Sequence, residues 1–134
     1  MLRIAVLLTL SLAACSKPDA PAPASSPPPA SSPTTAKPTK DPEAARKLVA
    51  EGAVVIDVRT PDEFAEDHLT QATNIPIEDF AQRITEVDKL TGGDKTKPLV
   101  VYCASGNRSG KAQQQLEAAG YARVVNGGSL DDLR

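Results

Sequence analysis

The chain has 134 residues, with 15 lysines and arginines against 17 aspartates and glutamates, a formal charge of −2. That length holds one domain at most, and the residues are unevenly spread: eight of the twelve prolines fall between Ser16 and Lys40, while all eight glycines and all four aromatic residues follow Asp41. From Asp41 to Arg134, 94 residues carry 11 basic and 16 acidic side chains, a formal −5, which argues against nucleic acid as a main partner and leaves Val, Ile, Leu and Ala to form a modest core.

Met1 to Ala14 has a basic start at Arg3, an apolar run from Ile4 to Leu12, and small residues at Ala13 and Ala14. That is the layout of a secretory signal, too short to span a bilayer comfortably. Leu12-Ala13-Ala14-Cys15 resembles the lipobox of bacterial lipoproteins, which implies lipidation at Cys15; an ordinary cleaved signal with Cys15 left as a thiol is the alternative. Ser16 stands where an aspartate would resemble an inner-membrane retention signal, so the expected address is the bacterial periplasm, anchored to the outer membrane through Cys15. More than one acyl chain would make that anchor stable. A thioether at Cys15 leaves Cys103 without a disulfide partner in an oxidising compartment, which points to chemistry at Cys103.

Ser16 to Lys40 contains no Leu, Ile, Val or aromatic residue. It cannot bury enough apolar surface to offset its ordering entropy. It reads as a disordered, semi-extended tether that would reach roughly 75–80 Å at about 3.1 Å per residue. The expected organisation is a signal peptide at 1–14, a lipidated cysteine and Pro/Ala/Ser-rich linker at 15–40, and a folded domain at 41–134.

Within that domain Asp41 and Pro42 start a helix whose apolar face is Ala44, Ala45, Leu48 and Val49, ended by Gly52. Ala53 to Val58 reads as a buried parallel strand broken by Asp57. Thr60-Pro61-Asp62-Glu63 has capping-box spacing and starts a second helix, with Phe64 expected to face inward. Ala72 to Ile75 is a short strand. Glu78 to Leu90 is expected to be a helix with Phe80, Ile84 and Val87 on one face. Thr91 to Lys97 is a polar loop, Pro98 to Tyr102 a strand, and Ser109 to Ala119 a helix closed by Gly120. Ala122 to Val125 is the last strand, and Asn126-Gly127-Gly128 turns out of it. This alternation predicts an α/β fold with a mainly parallel central sheet flanked by helices, whose site lies beyond the carboxyl ends of the strands.

Cys103 stands at such an end. Strand, short polar loop and helix follow one another, so backbone N–H groups of the loop and first helical turn can converge on its sulfur and favour the thiolate. Cys103 is therefore the candidate nucleophile in an anion cradle.

Val55-Ile56-Asp57-Val58-Arg59-Thr60-Pro61-Asp62-Glu63-Phe64, then His68, then Ala72 to Pro76, resembles the N-terminal signature of the rhodanese family, and Cys103-Ala104-Ser105-Gly106-Asn107-Arg108-Ser109 resembles its active-site loop. The short domain with a signal and the ending Asn126 to Leu133 are most similar to small periplasmic phage-shock-type rhodaneses. The chain departs from many of them in stopping six residues after the double glycine and lacking a tryptophan there, so a less buried C-terminal edge is expected.

The resemblance implies a thiosulfate sulfurtransferase working through a Cys103 persulfide. The donor is a small anion such as thiosulfate, and the acceptor is cyanide, a thiol, or a protein. Ala104, Ser105, Gly106, Asn107, Arg108 and Ser109 are the implied binding residues. Gly106 allows close backbone approach and positive φ, Arg108 supplies fixed positive charge for the donor and leaving group, and Lys111 adds charge at the rim. Ser105 and Asn107 point outward or brace the loop.

Asp57 and Arg59 are expected to form a structural pair near the site, and His68 to tie backbone together rather than act as a base. No cofactor is implied, and no Cys/His/Asp cluster has metal-ligand spacing. Two alternatives stand beside this reading. One is a tethered module that carries persulfide or docks on a partner without turnover. The other is a rhodanese-fold phosphatase, whose pattern places five residues between Cys and Arg where Ala104 to Asn107 are four. The shorter loop makes a tighter cradle, better suited to sulfur.

Overall fold

The structure, a computed structural model, describes residues 39–134. The secretory signal, the lipidation site Cys15 and all but the last two residues of the tether lie outside the described residues.

The first helix, α1 (Pro42–Ala50), starts as its sequence dictates: Pro42 needs no N–H partner at the first position, and the Asp41 carboxylate accepts from Ala44 N at 3.0 Å. Strand β1 (Val54–Asp57) follows, then α2 (Pro61–Glu66), opened by the full Thr60/Glu63 capping box. Phe64 does not enter the core. It is half-buried and stacks on His68, with ring centroids 3.9 Å apart. Strand β2 (Ala72–Asn74) pairs with β1.

The helix expected over 78–90 is shorter. Helix α3 spans Ile84–Thr91, and residues 78–83 form successive turns. The cause is anchorage to the sheet: Ile75 N donates to Asp57 O at 2.9 Å and Ile77 N to Val58 O at 3.2 Å, and the chain then turns through Asp79 N to Pro76 O and Phe80 N to Ile77 O, which buries Phe80 completely. Thr91, read as loop, is a buried last residue of α3.

Strand β3 (Leu99–Cys103) is buried at every position and includes Cys103 as its last residue. Helix α4 (Asn107–Ala118) starts two residues earlier than expected, because Gly106 at φ 92° supplies the N-cap. Strand β4 (Val124–Ser129) runs through Asn126-Gly127-Gly128 instead of turning there. It keeps pairing with β3 through a register shift, from Val101 opposite Asn126 to Cys103 opposite Ser129.

The sheet order is β2-β1-β3-β4, every pair parallel. Both faces are covered, which explains the unbroken apolar runs. Ile56, Val58, Leu99, Val101 and Cys103 pack with Phe80, Val87, Ala112 and Leu116 on one side. Val55, Val100 and Tyr102 pack with Ala45, Leu130 and Leu133 on the other. The C-terminal edge, where less burial is expected, is covered by a short 3-10 turn, Asp131–Leu133, which lays Leu130 and Leu133 onto α1 and β3 with 7% and 6% exposure. The adjacent strands β1 and β3 send their connections to opposite edges of the sheet, so the crevice at their carboxyl ends is where a ligand site belongs.

Candidate active site

Cys103 ends β3 at that crevice, with no exposed surface. The chain then climbs through Ala104 and Ser105, both exposed, and folds back at Gly106. Gly106 needs its positive φ, and a Cβ there would lie 3.4 Å from Gly128 Cα. The turn aims Gly106 N at the Cys103 sulfur, 3.0 Å away. Burial alone would push the thiol up; the hydrogen bonds from the Ser109 hydroxyl and from the N–H groups of Ser109, Ser105 and Gly106 outweigh it and hold the thiol below its ordinary value.

The loop is braced by a residue that the sequence reading took for a turn. Asn126 is 2% exposed and makes three side-chain bonds. Its Nδ2 donates to Gly106 O at 2.9 Å, and its Oδ1 accepts from Gly128 N at 3.0 Å and from Ser109 Oγ at 2.7 Å. The amide orientation follows, since Gly106 O only accepts and Gly128 N only donates. Ser109 Oγ also lies 3.5 Å from the Cys103 sulfur. One hydroxyl hydrogen thus faces two acceptors. It belongs to the nearer Asn126 oxygen while Cys103 is a thiol, and a thiolate competes for it. The signal for Asn126 was available: a polar residue continuing the run Val124-Val125 into a buried strand demands partners.

Arg108 does not stand free, as a residue reserved for an anion would. Its NH1 and NH2 donate to the two Glu63 oxygens at 2.7 and 2.8 Å. The pair is 28% and 33% exposed, at the rim of the loop. Glu63 Oε2 also accepts from Thr60 N at 2.9 Å. The Arg108 guanidinium and the Thr60 N–H hold the Glu63 carboxyl down at about 2. The Arg108 guanidinium is raised, first by Glu63 and also by the Cys103 sulfur and Glu78. Capping-box spacing revealed Glu63 as a helix starter, and nothing local revealed its second partner, 45 residues away.

Asp57 and Arg59 form the expected buried pair. Arg59 NH2 meets Asp57 Oδ2 at 2.8 Å, Arg59 N meets Oδ1 at 2.8 Å, and Arg59 NH2 also reaches Asp67 O at 2.5 Å. The guanidinium lies 5.6 Å from the Tyr102 ring centroid. None of the hydrogen bonds recorded for this pair reaches residues 103–109; it fixes the turn after β1. His68 donates from Nδ1 to Phe64 O at 2.8 Å, closing the end of α2, and has no recorded bond to the sulfur. Ser105, Asn107 and Lys111 are exposed, with Asn107 opening α4.

A family profile, the rhodanese-like domain, matches residues 41–131. Thiosulfate sulfurtransferase PspE of Escherichia coli (strain K12) is 37% identical over 78 residues, 58% of this chain and 71% of that protein. Thiosulfate sulfurtransferase GlpE of Pseudomonas entomophila (strain L48) is 37% identical over 89 residues, 65% of this chain and 76% of that protein. The solved structure of a rhodanese with anions from E. coli superposes with a TM-score of 0.54 at 36% identity, covering 60% of this chain and 91% of that one. The human single-domain sulfurtransferase TSTD1 gives a TM-score of 0.55 at 28% identity, covering 72% and 94%.

Proposed function

We propose, from the premise that this chain belongs to the rhodanese-like family, that it is a sulfurtransferase working through a persulfide on Cys103. The observation that carries the reading is the sulfur itself: a buried thiol with Gly106 N at 3.0 Å and the Ser109 hydroxyl at 3.5 Å. The thiolate attacks the terminal sulfur of thiosulfate. The bond between the two sulfurs breaks, its electron pair leaves with sulfite, and Cys103 carries a persulfide anion. Cyanide then takes the outer sulfur as thiocyanate, or a thiolate takes it as a new persulfide, and the Cys103 thiolate returns.

The cradle suits both anions. N–H groups aimed at the sulfur stabilise charge that moves outward by one atom, and no general base is needed because the thiol is already lowered. Cys103 has no exposed surface, so the loop of Ala104, Ser105 and Gly106 has to admit a single sulfur atom, which favours donors with an unsubstituted terminal sulfur. Ala104 to Ser109 form the wall that the donor meets.

We further infer the setting from the sequence pattern of residues 1–40: export by the signal at 1–14, acylation at Cys15, and a linker that holds the domain in the periplasm near the outer membrane.

The test is intact-protein mass spectrometry after thiosulfate treatment. The expected result is a gain of one sulfur atom, removed by cyanide and absent in Cys103→Ala. A folded, reduced protein that gains nothing would refute the sulfurtransferase.

A further inference from the structure

We propose that Glu63 sets the charge selectivity of the site, making it less receptive to dianionic sulfur donors than to monoanionic ones; the inference rests on the sulfurtransferase reading above. Two facts set Glu63 apart from an ordinary capping residue. The cap uses one oxygen: Oε2 takes Thr60 N at 2.9 Å and Thr60 Oγ1 at 3.1 Å. The other, Oε1, has no part in the cap and receives Arg108 NH2 at 2.8 Å, while Arg108 NH1 shares Oε2 with the cap at 2.7 Å. The carboxylate is therefore locked to the start of α2 through Oε2 and to the cationic side chain of the Cys103 loop through both oxygens.

The consequence is electrostatic. Arg108 is the cation within the loop, and its charge is offset by a fixed, partly buried carboxylate before any donor arrives. Glu78 lies near enough to act on Arg108 in the same sense. A donor entering the loop meets the N–H cradle and a nearly neutral pair. Repulsion from Glu63 grows with the charge of the donor, so a dianion feels about twice what a monoanion feels. Thiosulfate carries two charges. Methanethiosulfonate offers the same terminal sulfur with one, and releases methanesulfinate when Cys103 takes that sulfur.

The experiment compares the two donors, with cyanide as acceptor, in the wild type and in Glu63→Gln, which keeps an oxygen for the Thr60 N–H. In Glu63→Gln the ratio of kcat/KM for thiosulfate to that for methanethiosulfonate rises about fivefold, carried by KM, and the gain shrinks at high salt. Arg108→Gln, which leaves the carboxylate unpaired, moves the ratio the other way. An unchanged ratio in both variants overturns the proposal, as does an equal loss with both donors, which would make Glu63 a prop for Arg108 and nothing more. If the wild type takes sulfur from neither donor, the sulfurtransferase reading itself fails, an outcome the variants do not mimic.

Discussion

Ser109 carries one hydroxyl hydrogen between the Asn126 oxygen at 2.7 Å and the Cys103 sulfur at 3.5 Å. Ionisation of the thiol puts a full charge on the weaker acceptor and draws the hydrogen toward it. Ser109 thus favours the thiolate, and its removal moves the thiol upward. In Ser109→Ala the pH profile of alkylation by iodoacetamide shifts to higher pH, and the rate at neutral pH falls roughly threefold to tenfold. An unshifted profile would mean that the hydrogen stays on Asn126 in both states and that the backbone donors alone hold the thiol down.

At the scale of elements, β4 shows how a double glycine is used. Gly128 has φ +82°, and a Cβ there would lie 2.5 Å from Asp132 Oδ2, the oxygen that accepts from Ser129 N at 3.0 Å. Gly52 has nearly the same φ, +86°, with nothing within 4 Å. Alanine at Gly52 costs the left-handed backbone penalty alone, about 1 kcal/mol. Alanine at Gly128 adds the loss of the Asp132 contact and costs about 1–3 kcal/mol more. Urea unfolding of the two variants reads the difference directly, and equal midpoint shifts would show that Asp132 moves aside freely.

The same scale shows what the sequence made legible. Asp41-Pro42, Thr60 to Glu63 and Cys103 at a strand end all declare themselves within a few residues, because caps and strand ends are local chemistry. The late start of α3 at Ile84 and the continuation of β4 to Ser129 are imposed by neighbours in the sheet, through Val58 O and the β3 ladder. The links from Glu63 to Arg108 and from Ser109 to Asn126 join distant parts of the chain, and no local pattern encodes them.

At the largest scale, residues 41–134 form an acidic domain whose four parallel strands are covered on both faces. Among the described residues no helix is long and apolar enough to cross a membrane. The proposed anchoring is through Cys15. Cells expressing the full chain and fed a labelled fatty acid should yield a labelled protein in the membrane fraction, and Cys15→Ser should be unlabelled. Absence of label in the wild type would overturn the lipid anchor.

Asn126 also has a kinetic consequence. It belongs to a strand made after the Cys103 loop, so the Gly106 carbonyl and the Ser109 hydroxyl acquire their brace only once β4 has paired with β3. Until then Cys103 sits on an unbraced loop and behaves as a common, sluggish thiol. A chain whose β4 has not yet docked is thereby spared premature oxidation at Cys103, and the arrival of a fast-reacting thiol is a clock for that docking step.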